Sequence, residues 1–117
     1  MSSELGYYQH PTIAGNDVIF VCEDDLWKVS AAGGIARRLT ANPGVASFPV
    51  FSANGKSVAF TGRDDGPSEV YVMASEGGSP RRLTWLGSHT QVVGWTRGDR
   101  ILASTDWRQP FAGSMFL

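Results

Sequence analysis

Apolar and polar residues alternate along most of this chain in short runs separated by glycine-bearing turns. The pattern is clearest between Phe48 and Trp85. Phe48 to Ser52 alternates, with Pro49 near its start, and reads as a strand. Ala53-Asn54-Gly55-Lys56 reads as a tight hairpin turn, because Asn-Gly supplies the positive φ angles of a primed turn. Ser57 to Thr61 is apolar and β-rich. Arg63 to Ser68 holds Gly66-Pro67 and breaks the pattern. Glu69 to Ala74 sets Tyr71 and Met73 on one face and Val70 and Val72 on the other. Glu76-Gly77-Gly78 turns the chain, and Arg81 to Trp85 reads as a fourth strand. No segment carries apolar residues at helical spacing over three turns.

This unit recurs. Trp27 to Thr40, WKVSAAGGIARRLT, matches Tyr71 to Thr84, YVMASEGGSPRRLT, 44 residues later. Upstream, Pro11 and Ile13 correspond to Pro49 and Phe51, and Phe20 corresponds to Phe60. A third copy begins at Val93, with Trp95 matching Phe51 and Gly98 to Ala103 matching Asn54 to Ala59. Four short antiparallel strands repeated every ~44 residues are the mark of β-propeller blades. The expected fold is all-β, an incomplete propeller of about two and a half blades. Blade 1 is expected at about 7–44, blade 2 at about 45–88, and a truncated blade 3 at about 89–117. The third copy runs out near Leu117, in what should be its third strand. Two apolar blade faces are then expected to lack a neighbour, which favours self-association.

Composition narrows the partners. Ten basic and eleven acidic residues leave a formal charge of −1 across 117 residues, so nothing favours nucleic acid or an anionic membrane. The first residues, Met1 to Gly6, show no secretory signal pattern, and no apolar run approaches the ~20 residues of a membrane span. Cys22 is the one cysteine. It reads as an inert strand residue and suits a reducing compartment.

The second copy, FPVFSANGKSVAFTGRDDGPSEVYVMASEGGSPRRLT, resembles the repeat of TolB-type and related peptidase propellers. His10 to Gly15, Ile19 to Val21 and Glu23 to Trp27 resemble the beginning of tricorn-type proteases. Leu83 to Ser88 resembles the exit of their second repeat. Ser104-Thr105-Asp106 with Gln109-Pro110-Phe111 resembles their third blade. The resemblance spans almost the whole chain. It implies the N-terminal six-bladed propeller region of a cytoplasmic serine peptidase that degrades oligopeptides, assembles as a homo-oligomer and carries its catalytic residues elsewhere. Partners would then be the rest of the parent peptidase and oligopeptides. The alternative is a stand-alone TolB-type propeller that binds proteins or peptides.

Chemistry-bearing residues fit that implication. His10 and His89 are the only histidines. No Gly-x-Ser-x-Gly elbow pairs a serine with either, and no cofactor or metal pattern is present, so no catalytic residue is expected. Asp24-Asp25 and Asp64-Asp65 read as equivalent turn residues. Arg37-Arg38 and Arg81-Arg82 read as a charged outer edge that deters strand addition. Gly33-Gly34 and Gly77-Gly78 are hairpin glycines with no following helix to receive a phosphate. Trp27 and Tyr71 are expected to pack between blades, Trp95 and Phe51 near the innermost strand, and Met73 and Met115 in the core. In the family that the chain resembles, basic residues of a propeller loop hold a substrate carboxylate. The matching loop here, Gly87 to Val93, has no arginine pair. His89, Gln91 and nearby Arg97 remain the candidates for a substrate path.

Overall fold

The structure, a computed structural model, describes residues 9–40, 44–64 and 66–106 and the backbone of 113–116. Readings that involve residues 1–6, Asp65, Gln109-Pro110-Phe111 and the Met115 side chain lie outside the described residues. Among the described residues there is no helix. Strands β1 (Gln9–Ala14), β2 (Asp17–Cys22), β3 (Asp25–Ser30) and β4 (Arg37–Arg38) pair in chain order as one antiparallel sheet. Strands β5 (Val45–Phe51), β6 (Ser57–Arg63), β7 (Glu69–Ala74) and β8 (Arg81–Arg82) form a second sheet of the same order. Strands β9 (Thr90–Trp95), β10 (Ile101–Thr105) and β11 (Gly113–Phe116) form the third. The three sheets pack face on face, with β5 lying between β1 and β9. The first strand of each sheet therefore lies on a common inner side. This is a partial β-propeller.

Alternation along β6 shows why the sheets stack. Val58 and Phe60 join Met73 and Phe51 in a cluster with Ile19, Val21, Leu26 and Leu39 of the first sheet. Ala59 turns the other way and joins Val70 in a cluster with Val92, Ile101 and Ala103 of the third. Tyr71 packs on the first cluster and Val72 on the second, so the period-2 reading of β7 is correct. Each fully buried Val or Phe side chain contributes about 1.5–3 kcal/mol, and the middle sheet draws on both faces. Polar ties cross the same seams. The Lys28 ammonium donates to the Ser75 carbonyl at 3.0 Å. The Val92 amide donates to Thr61 Oγ1 at 2.9 Å, and Trp95 Nε1 donates to the Val50 carbonyl at 2.9 Å.

Four sequence readings need correction. The Ala53–Lys56 connection is not a two-residue primed turn. Only Gly55 has positive φ, at 73°. Asn54 instead accepts the Lys56 amide at 2.9 Å and the Ser52 hydroxyl at 2.8 Å, holding a four-residue loop. The tight turn with two positive φ angles is Glu23-Asp24, at 50° and 69°, between paired Cys22 and Asp25. The fourth strands are short: only Arg81 and Arg82 ladder, and Trp85 is exposed. The third copy is shifted by one residue. Trp95 pairs Ile101 as Phe51 pairs Val58, so Ile101 occupies the Val58 place and the intervening loop is one residue shorter. Asp25 corresponds to Glu69 and not to Asp65, since each opens the third strand of its sheet.

Candidate functional site

The inner strands share an irregularity. In β1 the register slips at His10-Pro11, and in β5 it slips at Phe48-Pro49. His10 and Phe48 have φ of 51° and 52°, an uncommon backbone for large side chains. A bulge opposes two residues to one and re-aims side chains. Here it brings the two rings together, stacked at 4.1 Å with 20° between planes. The third sheet slips at the matching place, Val93. Sequence reasoning gave His10 no such role. The signal was available in the recurrence of an aromatic or imidazole ring before proline in two equivalent strands.

The three substrate-path candidates separate. His89 is exposed in the segment between β8 and β9, and its carbonyl accepts the Asp106 amide at 3.3 Å. Gln91 is exposed on β9 opposite Ser104. These two share a polar cleft with Ser68, Ser104 and Asp106. Beneath it, buried Thr90 and Thr105 hydroxyls bond at 3.0 Å. Arg97 lies past the other end of β9, in an exposed turn closed by the Thr96 amide and the Arg100 carbonyl. A strand advances ~3.3 Å per residue, which puts Arg97 roughly 20 Å from Gln91. The cleft gathers an imidazole, a carboxylate and hydroxyls. Among the described residues no side-chain hydrogen bond links His89 to Asp106 or to a serine, and the cleft offers polar contacts. Cys22 is half-buried. Burial first, and the Glu23 charge second, push its thiol up, which suppresses the reactive thiolate.

A second constellation explains the repeated Arg-Arg-Leu-Thr. Buried Glu69 accepts the Thr84 hydroxyl at 2.5 Å, the Leu86 amide at 3.2 Å and the Gly87 amide at 2.9 Å. Thr84 Oγ1 in turn accepts the Val70 amide at 2.9 Å. Arg82 pairs with Glu69 at 3.3 Å and donates to the Thr84 carbonyl at 2.7 Å. The first sheet repeats the device. Thr40 Oγ1 donates to Asp25 at 2.7 Å and accepts the Leu26 amide at 3.0 Å, with Arg38 at 3.7 Å. The second arginine of each pair is thus a clasp residue, not only a charged edge. Burial opposes ionisation of Glu69, yet the bonds from Thr84, Gly87 and Leu86 and the Arg82 charge outweigh it and lower its pKa. The clasp ties the outer strand to the segment that leads to His89.

Comparison with known proteins agrees with this architecture. Residues 5–117 match the tricorn protease N-terminal β-propeller domain. The chain is 37% identical to a protein of Sulfurisphaera tokodaii named as a tricorn-like protease N-terminal subunit, over 91% of this chain and 56% of that one. It is 41% identical to tricorn protease homolog 1 of Streptomyces coelicolor, over 88% of this chain and 10% of that one. The crystal structure of the tricorn protease superposes with a TM-score of 0.80 at 29% identity, over 90% of this chain and 11% of that chain. TolB from Agrobacterium tumefaciens superposes at 0.78 with 23% identity, over 93% of this chain and 42% of that one, a likeness of fold alone. The chain thus spans about half of one of these relatives and about a tenth of the tricorn proteases. It belongs to the tricorn protease N-terminal β-propeller family.

Proposed function

We propose that this chain is a non-catalytic propeller segment of a tricorn-type serine peptidase that degrades oligopeptides in the cytoplasm, and that it forms part of the path of substrate or product. The observation that carries the reading is the gathering of β1, β5 and β9 on one inner side, with the His89–Gln91 cleft at one end of that wall. An extended peptide has an unpaired amide and carbonyl at every residue. Gln91, Ser68, Ser104 and Asp106 present donors and acceptors that match such a backbone. The lone Cys22 suits a reducing compartment.

Steady-state kinetics of the tricorn-type peptidase with this chain in place test the reading. His89→Ala with Gln91→Ala is expected to raise KM for oligopeptides by about three- to tenfold with kcat little changed, the pattern of lost uniform binding. Unaltered KM across peptides of several lengths contradicts a role in the path.

A further inference from the structure

Two adjacent residues, Ser68 and Glu69, pin the segment that carries His89 at both of its ends. Glu69 accepts the Thr84 hydroxyl at 2.5 Å and the Leu86 and Gly87 amides at 3.2 and 2.9 Å. Ser68 accepts the Thr90 amide, with its carbonyl at 3.1 Å and its hydroxyl oxygen at 3.2 Å. Ser88 and His89 lie between the two anchors. The Ser88 carbonyl accepts the Thr90 hydroxyl at 3.0 Å, and the His89 carbonyl accepts the Asp106 amide at 3.3 Å. The pinned segment leads directly into the cleft that His89 and Gln91 share with Ser68, Ser104 and Asp106.

The first sheet separates two roles of this device. There Asp25 accepts the Thr40 hydroxyl at 2.7 Å, and the Asp24 carbonyl accepts the Ala46 amide at 2.8 Å. Ala46 pairs Gly62 as Thr90 pairs Thr105, so Asp24 and Asp25 hold the places of Ser68 and Glu69. Closing a sheet and starting the next is therefore common to both. In the second sheet the same bonds also fall on a segment that bears the cleft. The Glu69 side chain is 3% exposed, so water does not compete for its bonds. A charge-assisted carboxylate bond to a backbone amide is among the stronger hydrogen bonds, and here two consecutive amides share one carboxylate.

We propose that Glu69 is a positioning residue for peptide binding, holding the 86–90 segment so that the His89–Gln91 cleft is set before an extended peptide arrives. It touches no substrate and acts through the Leu86 and Gly87 amides. A cleft that is ordered beforehand avoids the entropy cost of ordering on binding. The proposal rests on the peptide-path reading. It requires that loosening Glu69 weaken binding and leave turnover alone.

Steady-state kinetics of the tricorn-type peptidase with this chain in place, on a quenched fluorogenic oligopeptide, test this with a matched pair of variants. Glu69→Gln sets an amide NH2 against the Leu86 and Gly87 donors and releases the segment. Asp25→Asn weakens the corresponding clasp of the first sheet, which leads to β5 and not to the His89–Gln91 cleft. Glu69→Gln is expected to raise KM by about three- to tenfold with kcat little changed, the pattern of lost uniform binding. Asp25→Asn is expected to leave both constants within about twofold of the wild type. If Glu69→Gln loses its strand signature in circular dichroism, Glu69→Asp replaces it with the same expectation, since it keeps the charge and shortens the reach. Equal rises in KM for the two sites, or a folded Glu69 variant with the wild-type KM, overturn the proposal. In that second case a raised KM for His89→Ala with Gln91→Ala still upholds the peptide path, whereas an unaltered KM there ends both.

Discussion

Gly62 illustrates how much single residues decide. A Cβ at this position lies 2.6 Å from the Tyr71 ring, and that ring stacks on Phe60 at 5.5 Å. Gly62→Ala forces Tyr71 off the seam, and urea unfolding is expected to show a loss of about 1–3 kcal/mol. Gly78 acts through its backbone, with φ of 112° and open space around it. Gly78→Val is expected to cost about 1–3 kcal/mol, and an unchanged midpoint contradicts the strained hairpin. Glu69 sets a pH dependence. Its pKa is lowered from 4.5 in the folded state, so the unfolded chain binds the proton more readily. Its contribution is complete above about the unfolded value and is lost as pH falls through the lower folded value. Acid titration of unfolding stability is expected to show this loss in the wild type. Glu69→Gln, less stable at neutral pH by about 1–3 kcal/mol because an amide NH2 meets donor groups, is expected to show a smaller acid step.

At the level of strands and turns, the blades were legible because alternation along a strand records which sheet covers each face. Val70 and Val72 against Tyr71 and Met73 could be sorted without coordinates for that reason. The Asn54-Gly55 turn misled because the same dipeptide serves two loop types, and the choice falls to the Ser52 and Asn54 side chains, which accept the Ser57 and Lys56 amides and close the longer one. The clasp was hidden differently. Asp25 and Thr40, like Glu69 and Thr84, are fifteen residues apart in sequence and meet only when the fourth strand returns beside the third. Arg97 seemed close to Gln91, yet an extended strand carries it to the opposite end of the sheet. Thr84→Val tests the clasp as a unit. It keeps the shape but removes one donor from the buried Glu69 carboxylate and the acceptor of the Val70 amide, and is expected to destabilise the second sheet by about 1–3 kcal/mol. Hydrogen exchange at the Val70, Leu86 and Gly87 amides is expected to speed together. Accelerated exchange at Val70 alone contradicts a shared network.

For the whole molecule, three sheets stack so that their first strands share a common inner side. The purified chain is expected to leave oligopeptides intact in a peptidase assay. Turnover that a single Ser→Ala or His89→Ala abolishes contradicts that expectation. The central claim is that the middle sheet is covered on both faces by different neighbours, as in a propeller and unlike the outer layers of a two-sheet sandwich. A nuclear Overhauser spectrum of the methyl- and ring-labelled chain tests this most directly. The account predicts contacts from Val58 and Phe60 to Ile19 and Leu26, and separate contacts from Ala59 and Val70 to Ile101 and Ala103. A spectrum in which one of those two sets is missing and that face of the middle sheet is open to water contradicts it.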